Sequence, residues 1–343
     1  MSFKIIGSII IFWCLLDQFQ LINSAVFYSI IVVISAITLS LRKKVVITNY
    51  FIPLIFLASI PTIILFGYSF YAIALFLIYL ALNLVLSVNY SVKISDMKFM
   101  NTLLIITFIV AMTPVELRFF FTIKDILTSG ITTWENNTHP WLFLLFFAYF
   151  YQNGEKKYAL LNLFFLFISF KRIVILGVIT FLIYNLVQYR GKVLKGLMLL
   201  PLFMMPFLPL LLISSEFEDY IYSRTGLYLT HITQGRSAFY DIILQNFPLS
   251  ILPVGPGRVT EFSVLHLNYL VHNDHLKLIL ELGWPLYLFA IFSLKKTLPL
   301  PYFALLMVLM ATDNVMIYFY FLFFFFILAR DSSERLSSNL CYS

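Results

Sequence analysis

The chain has 343 residues, of which 61% are hydrophobic and only 11% charged, against about 25% charged in an ordinary soluble domain. With a mean hydropathy of +0.94 it has too little polar surface to cover itself in water, which excludes a soluble globular domain and predicts an integral membrane protein. The net charge of +7 lies in short loops between apolar runs, so it reads as a topology signal and not as a nucleic-acid surface.

The N-terminus, "MSFKIIGSIIIFWCLLDQFQ", has a charge and an apolar core but no small-residue cleavage site, and reads as an uncleaved first span. Apolar segments then follow near 20–41, 47–65, 68–88, 99–113, 141–151, 158–170, 173–189, 196–213, 277–294, 298–312 and 315–329. With the first span at 3–16 this predicts about 12 transmembrane helices, and an all-α polytopic fold. The divisions at 17–19 and 66–67 are drawn because the continuous apolar runs there are too long for single helices. The 10–12 range allows for spans shorter than the ~20 residues that cross hydrocarbon.

Orientation follows from Lys and Arg. With the N-terminus in the cytoplasm, alternate loops carry Lys4, Arg42 to Lys44, Lys93, Lys98, Lys156, Lys157, Arg190, Lys192, Lys195, Lys295, Lys296, Arg330 and Arg335, which is 15 of the 23 basic residues. The bias places both termini inside. The chain thus divides into nine helices over 1–213, a large outer loop over 214–276, three helices over 277–329 and a cytoplasmic tail over 330–343. Cys14 and Cys341 do not form a disulfide framework or a metal site.

Two outer loops are long, about 114–140 and 214–276, and all five histidines (His139, His231, His266, His272, His275) fall in them. There is no P-loop, no dinucleotide fingerprint and no Asp-x-Asp signature, so the outer face carries the chemistry and no cofactor is expected.

Four constellations stand out. In "SFKRIVILGV" (169–178), Lys171 and Arg172 sit between apolar runs on the side that the charge rule disfavours. They either snorkel to lipid headgroups or form a cation pair that holds an anionic headgroup. In "SRTGLYLTHITQGRSAFYDIIL" (223–244), Arg224 and Arg236 add two guanidiniums, and Phe239, Ile242 and Ile243 recur at helical spacing. That predicts an amphipathic helix lying on the membrane and opening with Gly235–Arg236. "FPLSILPVGPGRVTEF" (247–262) is a rigid turn whose "GPG" either simply turns the chain or cradles an oxyanion, with Arg258 beside it.

The fourth is "VHNDHLKLILELGW" (271–284). His272 and His275 at i, i+3 share a helical face. A metal site needs more ligands than His272, Asp274 and His275 supply, so none is expected. Asn273 or Asp274 suits an N-cap. One of the two histidines suits acid–base chemistry, because its unperturbed pKa lies near working pH.

Taken in order, "GR" with an amphipathic segment, the "GxG" turn, "HN" before an apolar helix with Glu281-Leu282-Gly283, and a later "TDN" (Thr312, Asp313, Asn314) resemble the O-antigen polymerase and O-antigen ligase superfamily of bacterial inner-membrane glycosyltransferases. The resemblance covers about residues 165–330, while the first half is similar in topology only. It implies a membrane fold of the GT-C type with a periplasmic site. It also implies transfer of glycan from an undecaprenyl-diphosphate-linked oligosaccharide to a sugar hydroxyl, inverting and without metal. The family's span arginine falls on Arg172 with Lys171 beside it, although its serine–arginine pair is "SFKR" here. The loop arginine falls on Arg236 and the loop histidine on His272. Arg172, Arg236 and His272 are the expected catalytic residues. Lys171, Arg224, Asn273, Arg258 and His275 are the expected substrate contacts. The implied partners are the lipid-linked oligosaccharides, membrane lipids and a chain-length regulator.

Polymerase is the expected activity, on the compact length and the "GPGR…HNDHL" wording. The ligase, which passes finished polymer to lipid A–core, is the alternative. A lipid-linked oligosaccharide flippase fits less well, because it needs paired charges inside its spans.

Overall fold

The computed structural model describes residues 3–18, 32–33, 51–66, 70–88, 90–111, 138–169, 171–228, 236–268 and 270–341. Among them there is no β-strand. The α-helices are α1 (Phe3–Gln18), α2 (Phe51–Phe66), α3 (Phe70–Leu86), α4 (Ile94–Ala111), α5 (His139–Gln152), α6 (Lys156–Ile168), α7 (Arg172–Val187), α8 (Lys192–Met204), α9 (Leu208–Leu212), α10 (Ser215–Thr225), α11 (Arg236–Asn246), α12 (Arg258–Leu267), α13 (Asp274–Leu282), α14 (Trp284–Thr297), α15 (Leu300–Thr312) and α16 (Phe319–Cys341). The protein is all-α. The expected span at 20–41, all but its residues 32–33, lies outside the described residues, as do His231, Gly235 and nearly all of the expected outer loop 114–140.

Among the described residues, two helical stretches are long and apolar enough to cross a membrane: Ile94–Ala111, and Lys192–Leu212, in which a 3₁₀ turn joins α8 to α9. The segments Phe3–Leu16, Tyr71–Leu86, Ile173–Val187 and Leu300–Thr312 are apolar but shorter. Several helices point large apolar side chains outward. Ile106, Ile109 and Val110 do so on α4, Leu197 and Leu200 on α8, and Phe289 and Phe292 on α14.

The helices form two compact units. One takes α1, α4, α5, α6 and α16. Here α5 is buried all round from His139 to Phe150, the pattern of a central helix. Phe143 on α5 stacks on Phe165 of α6 at 5.4 Å, and Phe146 meets Phe324 of α16 edge-on at 5.3 Å. Gly7 lets α1 close on Met100 and Phe324, where a Cβ would collide with the methionine sulfur.

The other unit takes α2 and α8 to α15. Its α15 is buried from Pro301 to Ala311. A small core of Tyr240, Ile243, Val259, Val271, Leu276 and Leu280 ties α11, α12 and α13 together, with Leu212 and Ile213 packed on it. The expected single span 277–294 is instead two helices. Gly283 breaks it with φ +74, and Pro285 opens α14. A helical residue cannot take that φ, and proline cannot donate back into the preceding turn. Gly283 also lets the backbone of Ile251 approach, and a Cβ there would overlap the Ile251 carbonyl.

Candidate functional site

Three consecutive side chains, His272, Asn273 and Asp274, each bond to the end of α15 or to the segment that follows it. The His272 imidazole Nδ1 lies 3.0 Å from Asp313 Oδ1. Asn273 donates its amide to the Ala311 carbonyl at 2.9 Å. Asp274 accepts the Met316 N–H at 2.8 Å. Met316 is held from its other side as well, since the Tyr79 hydroxyl donates to its carbonyl at 3.1 Å.

Local sequence explains the arrangement. Asn273 is extended at φ −160 and accepts the Leu276 N–H at 2.8 Å, which makes it the N-cap of α13. Its β-region backbone leaves His272 on the extended approach to the helix, half-exposed, with its side chain 30% accessible. The Tyr240 hydroxyl of α11 donates to the His272 carbonyl at 3.2 Å. Asp313 ends α15 with an extended backbone, its side chain 6% accessible. The same Oδ1 accepts the Asn314 N–H at 2.8 Å, so the carboxylate cannot swing away cheaply. A carboxylate on Nδ1 fixes the tautomer with the proton on that nitrogen, which leaves Nε2 as the acceptor.

Arg236 joins this place through the backbone. Its Nη1 donates to the Thr312 carbonyl at 3.0 Å, one residue before Asp313. One N–H is spent on positioning, and the rest of the planar fork can serve an anion. Arg236 opens α11. The face of α11 buried within the protein is Ser237, Tyr240 and Ile243. Ile242, expected on a face laid on the membrane, is 36% exposed. Tyr240 is drawn inward by its hydrogen bond to the His272 carbonyl and by the core behind it.

His272, Asn273 and Arg236 therefore come together, and Asp313 joins them. Its expected role was no more than membership of the "TDN" triplet. Pairing across 41 residues is invisible to local spacing, and the triplet was the only available signal.

The other expected contacts are elsewhere. His275, an expected substrate contact, is buried at 0% exposure, as is Lys277 at 2%. Tyr287 bonds His275 Nδ1 at 2.8 Å, and His275 Nε2 bonds the Met307 carbonyl at 2.8 Å, so both ring nitrogens serve packing. Asn273 is likewise spent on its cap and on Ala311. Arg258 pairs with Glu261 on its own helix at 3.1 Å. Arg224 lies on α10, which buries none of its residues, with its guanidinium 5.8 Å from the Tyr220 ring centre. Lys171 and Arg172 belong to the other unit. Lys171 is 3% exposed, with its ammonium over the Trp141 ring at 4.8 Å, so it does not snorkel.

The "GPG" turn is occupied from within. Gly255 and Gly257 have φ +99 and +89. The Glu281 carboxylate, buried on α13, faces the N–H groups of Gly257, Val259 and Thr260 at the start of α12. Those donors are the ones an oxyanion would need, so the turn locks α12 to α13 and is no cradle for substrate.

Together these residues define an all-α protein in which a histidine and an arginine from separate segments meet the end of a buried helix, the histidine at Asp313 and the arginine at the Thr312 carbonyl. No protein-family model, curated protein or solved structure matches the chain. Among the described residues no group of three or more His, Cys, Asp or Glu side chains is placed to hold a metal ion.

Proposed function

We propose that the chain is a polytopic inner-membrane glycosyltransferase of about 12 spans, with both termini cytoplasmic, that polymerises lipid-linked repeat units at the periplasmic face. The observation that carries this reading is the His272–Asp313 pair one residue from the carbonyl that anchors Arg236. A sugar hydroxyl is a weak nucleophile, and His272 Nε2, with its tautomer fixed by Asp313, takes the proton as the hydroxyl attacks. The bond from the anomeric carbon to the diphosphate oxygen breaks, and the pair of electrons leaves with the diphosphate. Arg236 offsets the charge that grows there, and such transition-state contacts raise the rate most. Attack opposite the leaving group inverts the anomeric centre.

The outward apolar faces of α4, α8 and α14 support a lipid setting, because patches of this size on a water-facing surface would drive association. The expected roles of Arg172 and Lys171 remain part of the proposal through the family resemblance alone.

Deleting the gene in its host and resolving lipopolysaccharide on a gel tests the reading. Core carrying a single repeat unit is the expected result. Core with no O-antigen, and polymer accumulating on the lipid carrier, would assign the ligase instead. An unchanged ladder would remove both.

A further inference from the structure

Helix α13 buries three ionisable side chains on one stripe. Asp274, Lys277 and Glu281 are spaced i, i+3 and i+7 and are at most 2% exposed. The Lys277 ammonium lies 2.7 Å from Asp274 Oδ1, while Asp274 Oδ2 accepts the Met316 N–H. Glu281, one turn further on, faces the 257–260 backbone. One buried cation thus stands between two buried carboxylates, each of which holds a different loop.

Net stability does not account for the Asp274–Lys277 pair. Desolvating two ions costs several kcal/mol each, roughly cancelling their attraction, and apolar replacements are often as stable. Its position suggests another task. The Met316 N–H belongs to the turn that begins at Asp313, and Asp274 is two residues from His272. The Asp274 carboxylate thus holds, through the Met316 N–H, the turn that carries Asp313.

We infer that Lys277 is a positioning residue for the His272–Asp313 pair. Lys277 pairs with Asp274 Oδ1 and keeps the carboxylate turned toward Met316. Asp274 holds the 313–316 turn, and the turn sets Asp313 against His272 Nδ1. The catalytic consequence rests on His272 being the base of the proposed transfer, but the coupling itself is measurable without any transfer assay.

The measurement is the rate at which diethyl pyrocarbonate modifies His272 in the purified full-length protein, read by mass spectrometry. Asp313→Asn sets the scale. Its loss of the carboxylate partner should slow modification about three- to tenfold, the worth of one hydrogen bond. Lys277→Met is expected to match it, and Lys277→Arg to stay near the wild-type rate. Two double variants then separate positioning from folding. Asp274→Asn with Lys277→Met keeps an amide oxygen for the Met316 N–H and needs no counter-charge, so it should recover the wild-type rate. Asp274→Ala with Lys277→Met removes that acceptor and should behave like Asp313→Asn. A wild-type rate in Lys277→Met, or equal rates in the two double variants, overturns the inference. If the rates follow this pattern in a protein that carries out no transfer, the positioning stands and the proposed reaction does not.

Discussion

His272 Nδ1 and Asp313 Oδ1 meet at 3.0 Å although 41 residues separate them. Asn273 and Asp274 repeat the connection immediately afterwards, so the contact is one of three that join the two segments.

The pair predicts a graded response. His272→Ala should abolish transfer while expression persists. Asp313→Asn keeps the shape but loses the charge that fixes the tautomer. It should slow transfer from a polyprenyl-diphosphate donor by about 10²- to 10⁴-fold, the range that general-base catalysis supplies. Full activity in Asp313→Asn would remove the carboxylate from the mechanism.

Arg236 should not tolerate the usual conservative change. Its Nη1 is committed to the Thr312 carbonyl while the rest of the fork is left for an anion. A lysine is a point charge and cannot do both. Arg236→Ala should abolish transfer, and Arg236→Lys should depress kcat by about tenfold or more. Steady-state kinetics on reconstituted protein decide the point, and a change confined to KM would make Arg236 a ground-state binding residue.

His275 should matter to the fold and not to the chemistry. Tyr287→Phe removes the hydroxyl from its Nδ1 and leaves a buried nitrogen unmatched, a cost of about 1–3 kcal/mol. The thermal midpoint of the solubilised protein should fall, while transfer per folded molecule changes by less than about twofold. A selective loss of transfer in Tyr287→Phe would move the base from His272 to His275.

Gly257→Ala tests the turn that Glu281 fills. A Cβ there would stand 2.8 Å from the Ala72 backbone at a φ of +89, so both sterics and conformation oppose it. We expect a loss of about 2–5 kcal/mol in stability. An unchanged unfolding midpoint would mean that Gly257 does not sit against the Ala72 backbone of α3.

The apolar runs announced the helices, and "HND" with "TDN" announced the site. What hydropathy missed lies in α13. Lys277 and Glu281 fall inside the expected span 277–294, where a charge in an apolar run does not show what it pairs with. They are buried because Asp274 stands one turn before Lys277, and because a loop twenty-odd residues upstream presents its N–H groups to Glu281. Gly283 was equally hard to place. A lone glycine within an apolar run reads as a tolerated helical residue until the Ile251 backbone is found against it. Local spacing also left out Tyr240, since the hydrogen bond that turns it inward is made to a residue far along the chain.

The triple connection between 272–274 and 311–316 also sets a timetable. Ribosomes deliver His272 first, and its partner follows only after α13, α14 and α15 have been made. A nascent or truncated chain ending before Asp313 has the histidine, the arginine and most of the fold, yet lacks the carboxylate and the turn that orient them. The three contacts therefore form only once the chain has been made as far as Met316.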